Sequence, residues 1–375
     1  MTSTTHQVES TGATLYVALE LGSKEWWLTL SVAVGAPRSR VRVVPGDATA
    51  IGRAVTSAKT RWGLAAETAV RSCYEAGRDG FWPHRFLTQL GVTNLVVDSS
   101  SIEVSRRARR AKTDRLDGEK LLRLLLRYWG GDRDVWHVVH VPSRAAEEAR
   151  HASRGLTTLQ AERTRQRNRL RGILAQYGVG PGRLDARWAE RLPALTDWAG
   201  EPLPAGVQQR LLQTWRLLRA VEAECQTARR TERTRVRTTA PVTVAQRLAR
   251  LRGVAARGAT VLADELFSRT LRNRREVGAL TGLVSAPYRS GTIARDQGLA
   301  PSGIPAVRRI AVEIAWAWRR YQPTSALTQW YHRRFGGGGA VTRRIGIVAL
   351  ARRVIIALWR YVETGVVPVG ALLKA

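Results

Sequence analysis

The chain has 375 residues, 44% of them hydrophobic, enough to bury more than one core; disorder throughout is excluded and two or three structural units are expected. Lys and Arg number 61 against 30 Asp and Glu, a net charge of +31 spread over the whole length, and every basic residue except Lys24, Lys59, Lys112, Lys120 and Lys374 is arginine. Guanidinium forks onto phosphate, so a polyanionic partner is the natural reading of that excess.

Met1 to Gly12 is a polar tail without the pattern of a signal peptide. Leu15 to Leu21, Trp26 to Val34 and Arg40 to Val44 are short β-rich runs separated by Gly22-Ser23 and Gly35-Ala36-Pro37, which predicts an antiparallel meander. A helix near Ala50 to Gly63, a strand at Thr68 to Tyr74 and a helix around Phe81 to Leu90 follow. Next come a strand at Asn94 to Asp98, a helix from about Asp114 to Trp129 and a strand at Val135 to Val141. Three strands followed by alternating helix and strand is the order of an RNase H-like α/β domain, placed at residues 13–142.

After Pro142 the composition changes. Ser143 to Tyr177 and Ala205 to Arg235 carry Arg, Glu, Gln and Leu at helical spacing, with a Pro- and Gly-containing joint at Gly178 to Pro204, so residues 143–238 are expected to be two long helices that pair with each other or with a second subunit. Residues 239–375 are expected to be mostly helical: a helix to Arg252, a turn at Gly253 to Gly258, and helices at Ala259 to Phe267, Arg308 to Tyr321 and Thr342 to Glu363, with Gly336 to Gly339 as a linker. Ile345 to Trp359 is broken by Arg352 and Arg353 and is too short to span a bilayer. Cys73 and Cys225 have neither a disulfide framework nor zinc spacing. A cytoplasmic protein without a membrane partner is expected.

Cutting a phosphodiester needs charge neutralisation and an activated nucleophile, which two magnesium ions held by carboxylates supply. Glu20 lies within Val17-Ala18-Leu19-Glu20-Leu21, where a carboxylate among apolar residues is costly unless paired or metal-bound. Glu75 follows the strand that ends at Tyr74. Asp114 and Asp117 open a helix three residues apart and share a face. Ordinary structural roles stand beside these: Asp114 as an N-cap, Asp117 facing the helix dipole, Glu20 paired with an arginine. Ser290 precedes Gly291 in a turn-prone stretch after Pro287, where a hydroxyl can be presented to a phosphate, although most Ser-Gly pairs are simply turns.

Glu75-Ala76-Gly77, Lys112-Thr113-Asp114-Arg115-Leu116-Asp117, and Gly282 through Pro287-Tyr288-Arg289-Ser290-Gly291 to Ser302-Gly303 together resemble insertion-sequence family one-hundred-ten, the DEDD transposases also called bridge-RNA-guided recombinases. The resemblance runs from about Leu15 to Gly365. It implies a RuvC-like first domain, a coiled coil used in assembly over the middle helices, and a C-terminal transposase domain carrying a nucleophilic serine. Glu20, Glu75, Asp114 and Asp117 fall on its four metal-binding positions, which implies magnesium, and Ser290 falls on the nucleophile. Further implications are target and donor DNA as substrates, a structured guide RNA, and a homo-oligomer, dimer to tetramer, in which serine and carboxylates of one site come from different subunits. Glu20 departs from the pattern, which most often has Asp there, and Ala300-Pro301-Ser302-Gly303-Ile304 departs from Ser-Lys-Ala-Gly-Asn. Two other readings are a RuvC-like nuclease using water as nucleophile and a catalytically inactive arginine-rich nucleic-acid-binding protein. An actin-like kinase is disfavoured because no Gly-rich phosphate turn stands where one is expected.

Overall fold

The computed structural model describes residues 13–102, 114–180, 182–238, 243–290, 293–300 and 302–374, with the backbone alone at 114–116, 238, 287–290 and 293–297. The chain forms two compact units, one through Val141 and one from Pro142. The first is a mixed α/β layer. Its strands are β1 (Thr14–Leu21), β2 (Trp26–Ser31), β3 (Ser39–Val43), β4 (Ala69–Glu75) and β5 (Thr93–Val97); its helices are α1 (Ala48–Arg61), α2 (Trp82–Gln89) and α3 (Asp114–Trp129). The sheet order is β3-β2-β1-β4-β5. β1, β2 and β3 form the antiparallel meander, and β4 and β5 continue parallel to β1.

Alternation along the strands divides the core into two faces. Leu15, Val17 and Leu19 pack with Trp26, Leu28 and Leu30 and with Ile51, Ala54 and Leu87 from α1 and α2. Ala18, Cys73 and Val97 face the other way, onto Leu121, Leu122, Leu124 and Leu125 of α3. Each of these fully buried leucines contributes about 1.5–3 kcal/mol. The turn between β1 and β2 requires glycine at position 22, because a Cβ there would stand 2.5 Å from the Glu25 carbonyl oxygen.

The strand expected at Val135 to Val141 does not form; pairing is reduced to a single bridge between Val97 and Val138. Val135 and Trp136 are buried against α3 instead, and the His137 amide donates to Ser101 Oγ at 2.8 Å, which removes it from a ladder. The polar tail of residues 1–12 lies outside the described residues.

In the second unit α4 (Arg144–Gln176) and α6 (Ala205–Thr238) are each about 50 Å long. They run antiparallel: Leu170, Ile173 and Leu174 at the end of one pack on Leu211, Trp215 and Leu218 at the start of the other, with Trp188 from the short α5 (Trp188–Arg191). Arg167 meets Glu222 across this pair at 2.8 Å. The two long helices therefore pair within one chain.

The remainder is α7 (Val244–Ala249), α8 (Ala256–Val261) continuing as a π-helical turn over Leu262–Leu266, α9 (Arg274–Thr281), a hairpin of β6 (Ser285–Ser290) and β7 (Ile293–Leu299), α10 (Pro305–Tyr321), α11 (Ala326–Phe335) and α12 (Ala340–Thr364). These helices share one core with α4 and α6 at its border, built from Leu248, Val254, Ile310, Ile314, Trp318, Leu350 and Leu358. The foot of the α4–α6 arm is fixed to it by ion pairs, Arg154 to Glu265 at 2.8 Å, Arg235 to Asp264 at 2.8 Å and Glu232 to Arg257 at 2.9 Å. α9, α11 and the hairpin are additions to the predicted elements.

Candidate active site

β1 and β4 are parallel neighbours, and their register pairs Leu19 with Tyr74. Glu20 and Glu75, one residue further on, therefore sit side by side at the carboxyl edge of the sheet, the place where open α/β sheets bind ligands. The alternation that buries Leu19 and Tyr74 on the α1–α2 side turns Glu20 and Glu75 to the α3 side. α3 starts on that side with Asp114 and Asp117 in its first turn. Glu20, Glu75 and Asp117 line one pocket of about 430 Å³, together with Asp79, Arg78 and Ser23. Three of the four predicted carboxylates are thus brought together; Asp114 contributes its backbone position, and its side chain lies outside the described residues.

Glu20 and Asp117 are both half-buried. The Oε2 of Glu20 is shut off from solvent. Glu75 stands at the open side. Directly beneath, Cys73 is fully enclosed, and burial followed by the negative charge of Glu75 pushes its thiol far above the usual range. Cys73 is therefore a neutral core residue, unsuited to act as a thiolate nucleophile.

The donor set is all carboxylate oxygen, the chemistry that hard divalent cations take. Among the described residues no three His, Cys, Asp or Glu side chains close into a ready ligand sphere. Glu20, Glu75 and Asp117 share the lining of the pocket, and the backbone of Asp114 stands one turn before Asp117.

Two features in or beside the pocket have no counterpart in the predicted set. Asp79 follows Glu75 by four residues in the loop leaving β4, and Arg78 meets it at 3.7 Å. Their signal in the sequence is a charged pair that begins three residues after a strand ending in Glu. The other is Gly118: a Cβ there would lie 2.7 Å from Thr29 Oγ1 on β2. A glycine next to Asp117 lets the first turn of α3 rest directly on the sheet. Gly118→Ala is expected to destabilise the protein by about 1–3 kcal/mol, the ordinary cost of overpacking, and Thr29→Ala in the same chain to recover most of it. Denaturant unfolding of both variants and the double variant checks this; equal penalties with and without Thr29 Oγ1 would refute the contact as the cause.

Ser290 belongs to the second unit, where it is the last residue of β6, paired with Ile293 of β7. The stretch expected to be a turn is thus a strand end, and Gly291 and the Ser290 side chain lie outside the described residues. The hairpin grows from a backbone crossing at Gly282 and Gly303, with φ of 64° and 96°. A Cβ on Gly303 would stand 2.5 Å from the Gly282 nitrogen. Arg308 locks the crossing by donating from Nη2 to the Ala300 carbonyl at 2.7 Å and to that of Ser302. Gly282 and Gly303 stand in the sequence motif; Arg308 stands outside it, and only its closeness to Gly303 hints at its role.

Residues 245–329 match the family described as Transposase IS116/IS110/IS902. Over 379 aligned residues the chain is 37% identical to "Putative transposase y4rJ" of Sinorhizobium fredii, an alignment covering 96% of this chain and 94% of that one. The chain belongs to the IS116/IS110/IS902 family of transposases. The matched segment of this transposase runs from α7 through the hairpin into α11, so it contains Gly282, Ser290, Gly303 and Arg308. The carboxylate pocket lies outside that segment but inside the alignment with the relative. A transposase acts on DNA, which gives the +31 charge a polyanionic partner. Among the described residues no helix of the transposase is long and apolar enough to cross a membrane.

Proposed function

We propose that this transposase cuts and rejoins DNA through a covalent serine intermediate, with an RNase H-like, RuvC-like first unit as its metal-dependent half. The observation that carries the reading is the meeting of Glu20, Glu75 and Asp117 in one pocket at the carboxyl edge of parallel strands. Glu20, Glu75, Asp114 and Asp117 would hold magnesium, whose positive charge stabilises a phosphate under attack. Ser290 Oγ attacks the phosphorus and gives up its proton; one strand end departs as a free hydroxyl and the other stays joined as a phosphoserine. Attack by a hydroxyl of another strand then breaks the serine–phosphorus bond and reseals the DNA. Bond energy is conserved throughout, so no nucleotide is consumed.

The same reading takes the serine and the carboxylates of one centre from different subunits of a homo-oligomer, up to a tetramer, and takes a structured guide RNA as the selector of target and donor. Arginines dispersed over the chain suit binding RNA by shape and backbone.

Ser290→Ala is expected to abolish covalent capture of labelled DNA on a denaturing gel, and Asp114→Asn to abolish both capture and cleavage in magnesium. Full recombination by Ser290→Ala would overturn the serine mechanism. Cleavage without any protein-linked DNA would make water the nucleophile instead.

A further inference from the structure

At the foot of the arm, α4, α6, α8 and α10 enclose a cavity of about 380 Å³ that presents Arg229, Arg233, Arg257 and Arg309 against two carboxylates, Glu232 and Glu313. The four arginines differ in what they already hold. Arg257 is committed to the scaffold: Nη1 donates to Glu232 Oε1 at 2.9 Å and to Ser153 Oγ at 3.0 Å, and Nη2 to the Ser153 carbonyl at 2.9 Å. Glu232 is neutralised by this contact. Arg309 reaches Glu313 at only 3.8 Å, with 47% and 62% of the two side chains exposed, a separation and wetness at which neither charge is effectively cancelled.

Arg229 and Arg233 lie one turn apart on the same face of α6, and neither forms an ion pair among the described residues. The cavity is therefore net positive, with three guanidiniums open to a ligand and an apolar floor that includes Leu156 and Ile310.

We propose that this cavity is a phosphodiester-binding site, in which Arg229 and Arg233 from α6 and Arg309 from α10 grip the backbone of a nucleic-acid strand. A pocket of this volume accepts about one nucleotide unit. Forked guanidiniums suit the phosphate oxygens better than a point charge does, and the apolar floor accommodates the sugar carbons. A lone carboxylate or phosphate ion would leave that floor uncovered. Because the walls come from both the arm and the helices at its foot, a bound strand ties the two together. The site is separate from the carboxylate pocket; it rests on the transposase acting on nucleic acid, and it needs neither Ser290 nor a metal.

The test is binding of short labelled single-stranded DNA, single-stranded RNA and duplex DNA to the full chain, over a range of salt. Arg229→Gln with Arg233→Gln is expected to weaken at least one probe about tenfold and to reduce its salt slope by about two, one for each phosphate that is no longer neutralised. The comparison is Arg343→Gln with Arg344→Gln, which removes the same charge from exposed positions on α12. Arg309→Gln tests the site from a different helix and is expected to reduce the slope by about one. Equal losses in the two double variants, or unchanged slopes at all three site arginines, would overturn the proposal. The probe that loses affinity identifies the strand as DNA or RNA. Binding is read without magnesium, where no cleavage is scored, so failure of the catalytic reading leaves these salt slopes as expected while failure of this site removes their differences.

Discussion

Glu20→Gln is expected to lower magnesium-dependent DNA cleavage by about 100-fold or more, with the fold and the DNA affinity retained. Even outer-shell partners of metal ligands cost about 10–100-fold when replaced, and the proposed function makes Glu20 a ligand. Its position decides the expectation: Oε2 is closed off from solvent at the end of β1, the pocket opens over it, and Glu75 and Asp117 share the lining. An amide of the same shape keeps the packing and removes the charge, and denaturant unfolding of the variant in parallel separates a loss of chemistry from a loss of fold. Glu20→Asp is the informative partner. It shortens the side chain by one methylene while keeping both oxygens, and it should retain far more activity than Gln if charge at this depth is what the site requires. Cleavage by Glu20→Gln at the rate of the unaltered protein would remove Glu20 from the metal site and leave it as a buried structural acid. Assays on a fixed duplex, with binding measured in parallel, distinguish these outcomes.

The sequence makes the carboxylates legible for physical reasons that hold one by one. A glutamate inside Val17-Ala18-Leu19-Glu20-Leu21 stands out because burial of its charge has to be compensated, and the β1–β4 register then brings Glu75 beside it. Asp117 is legible through helical periodicity once α3 is placed. Gly118 is not: its role depends on the approach of α3 to Thr29, a contact between residues far apart in the chain. The misplaced strand at Val135 to Val141 has a similar cause. Its apolar content is real, but Val135 and Trp136 use it against α3, and Ser101 takes the His137 amide.

The hairpin whose first strand ends at Ser290 is hidden for the opposite reason. Ser285 to Ser290 contains Pro287 and lacks apolar alternation, so local pattern suggests a turn, whereas a bulge between Ser285 and Pro287 and the crossing of Gly282 with Gly303 allow two paired strands. The long helices α4 and α6 are clear from composition, but not how their foot is anchored. Part of that anchorage joins residues more than a hundred positions apart, Arg154 and Glu265, and the rest joins α6 to elements beyond a break in the helical pattern.

This anchorage leads to the second large effect, Arg235→Ala, expected to cost about 3–5 kcal/mol because it strands a buried carboxylate. Arg235 holds Asp264 through two bonds, Nη2 to Oδ1 at 2.8 Å and Nη1 to Oδ2 at 3.2 Å, and the Asp264 side chain is only 6% exposed. Burial raises the Asp264 pKa above its ordinary value despite the lowering influence of Arg235. A folded pKa above the unfolded one means that this group's contribution is fully present below the unfolded pKa and is lost as pH rises through the folded value. Without Arg235 the folded pKa climbs further. The penalty of the variant is therefore largest at neutral pH and shrinks in mild acid, where Asp264 takes up a proton. Urea unfolding at both pH values checks this, and an equal penalty at the two would sink the assignment. Asp264→Asn in the Arg235→Ala background should recover much of the loss at neutral pH, since a neutral amide in the π-helical turn no longer needs the guanidinium. Recovery there, with little effect of Asp264→Asn in mild acid, would locate the energy in the stranded charge and not in the lost bulk of the arginine.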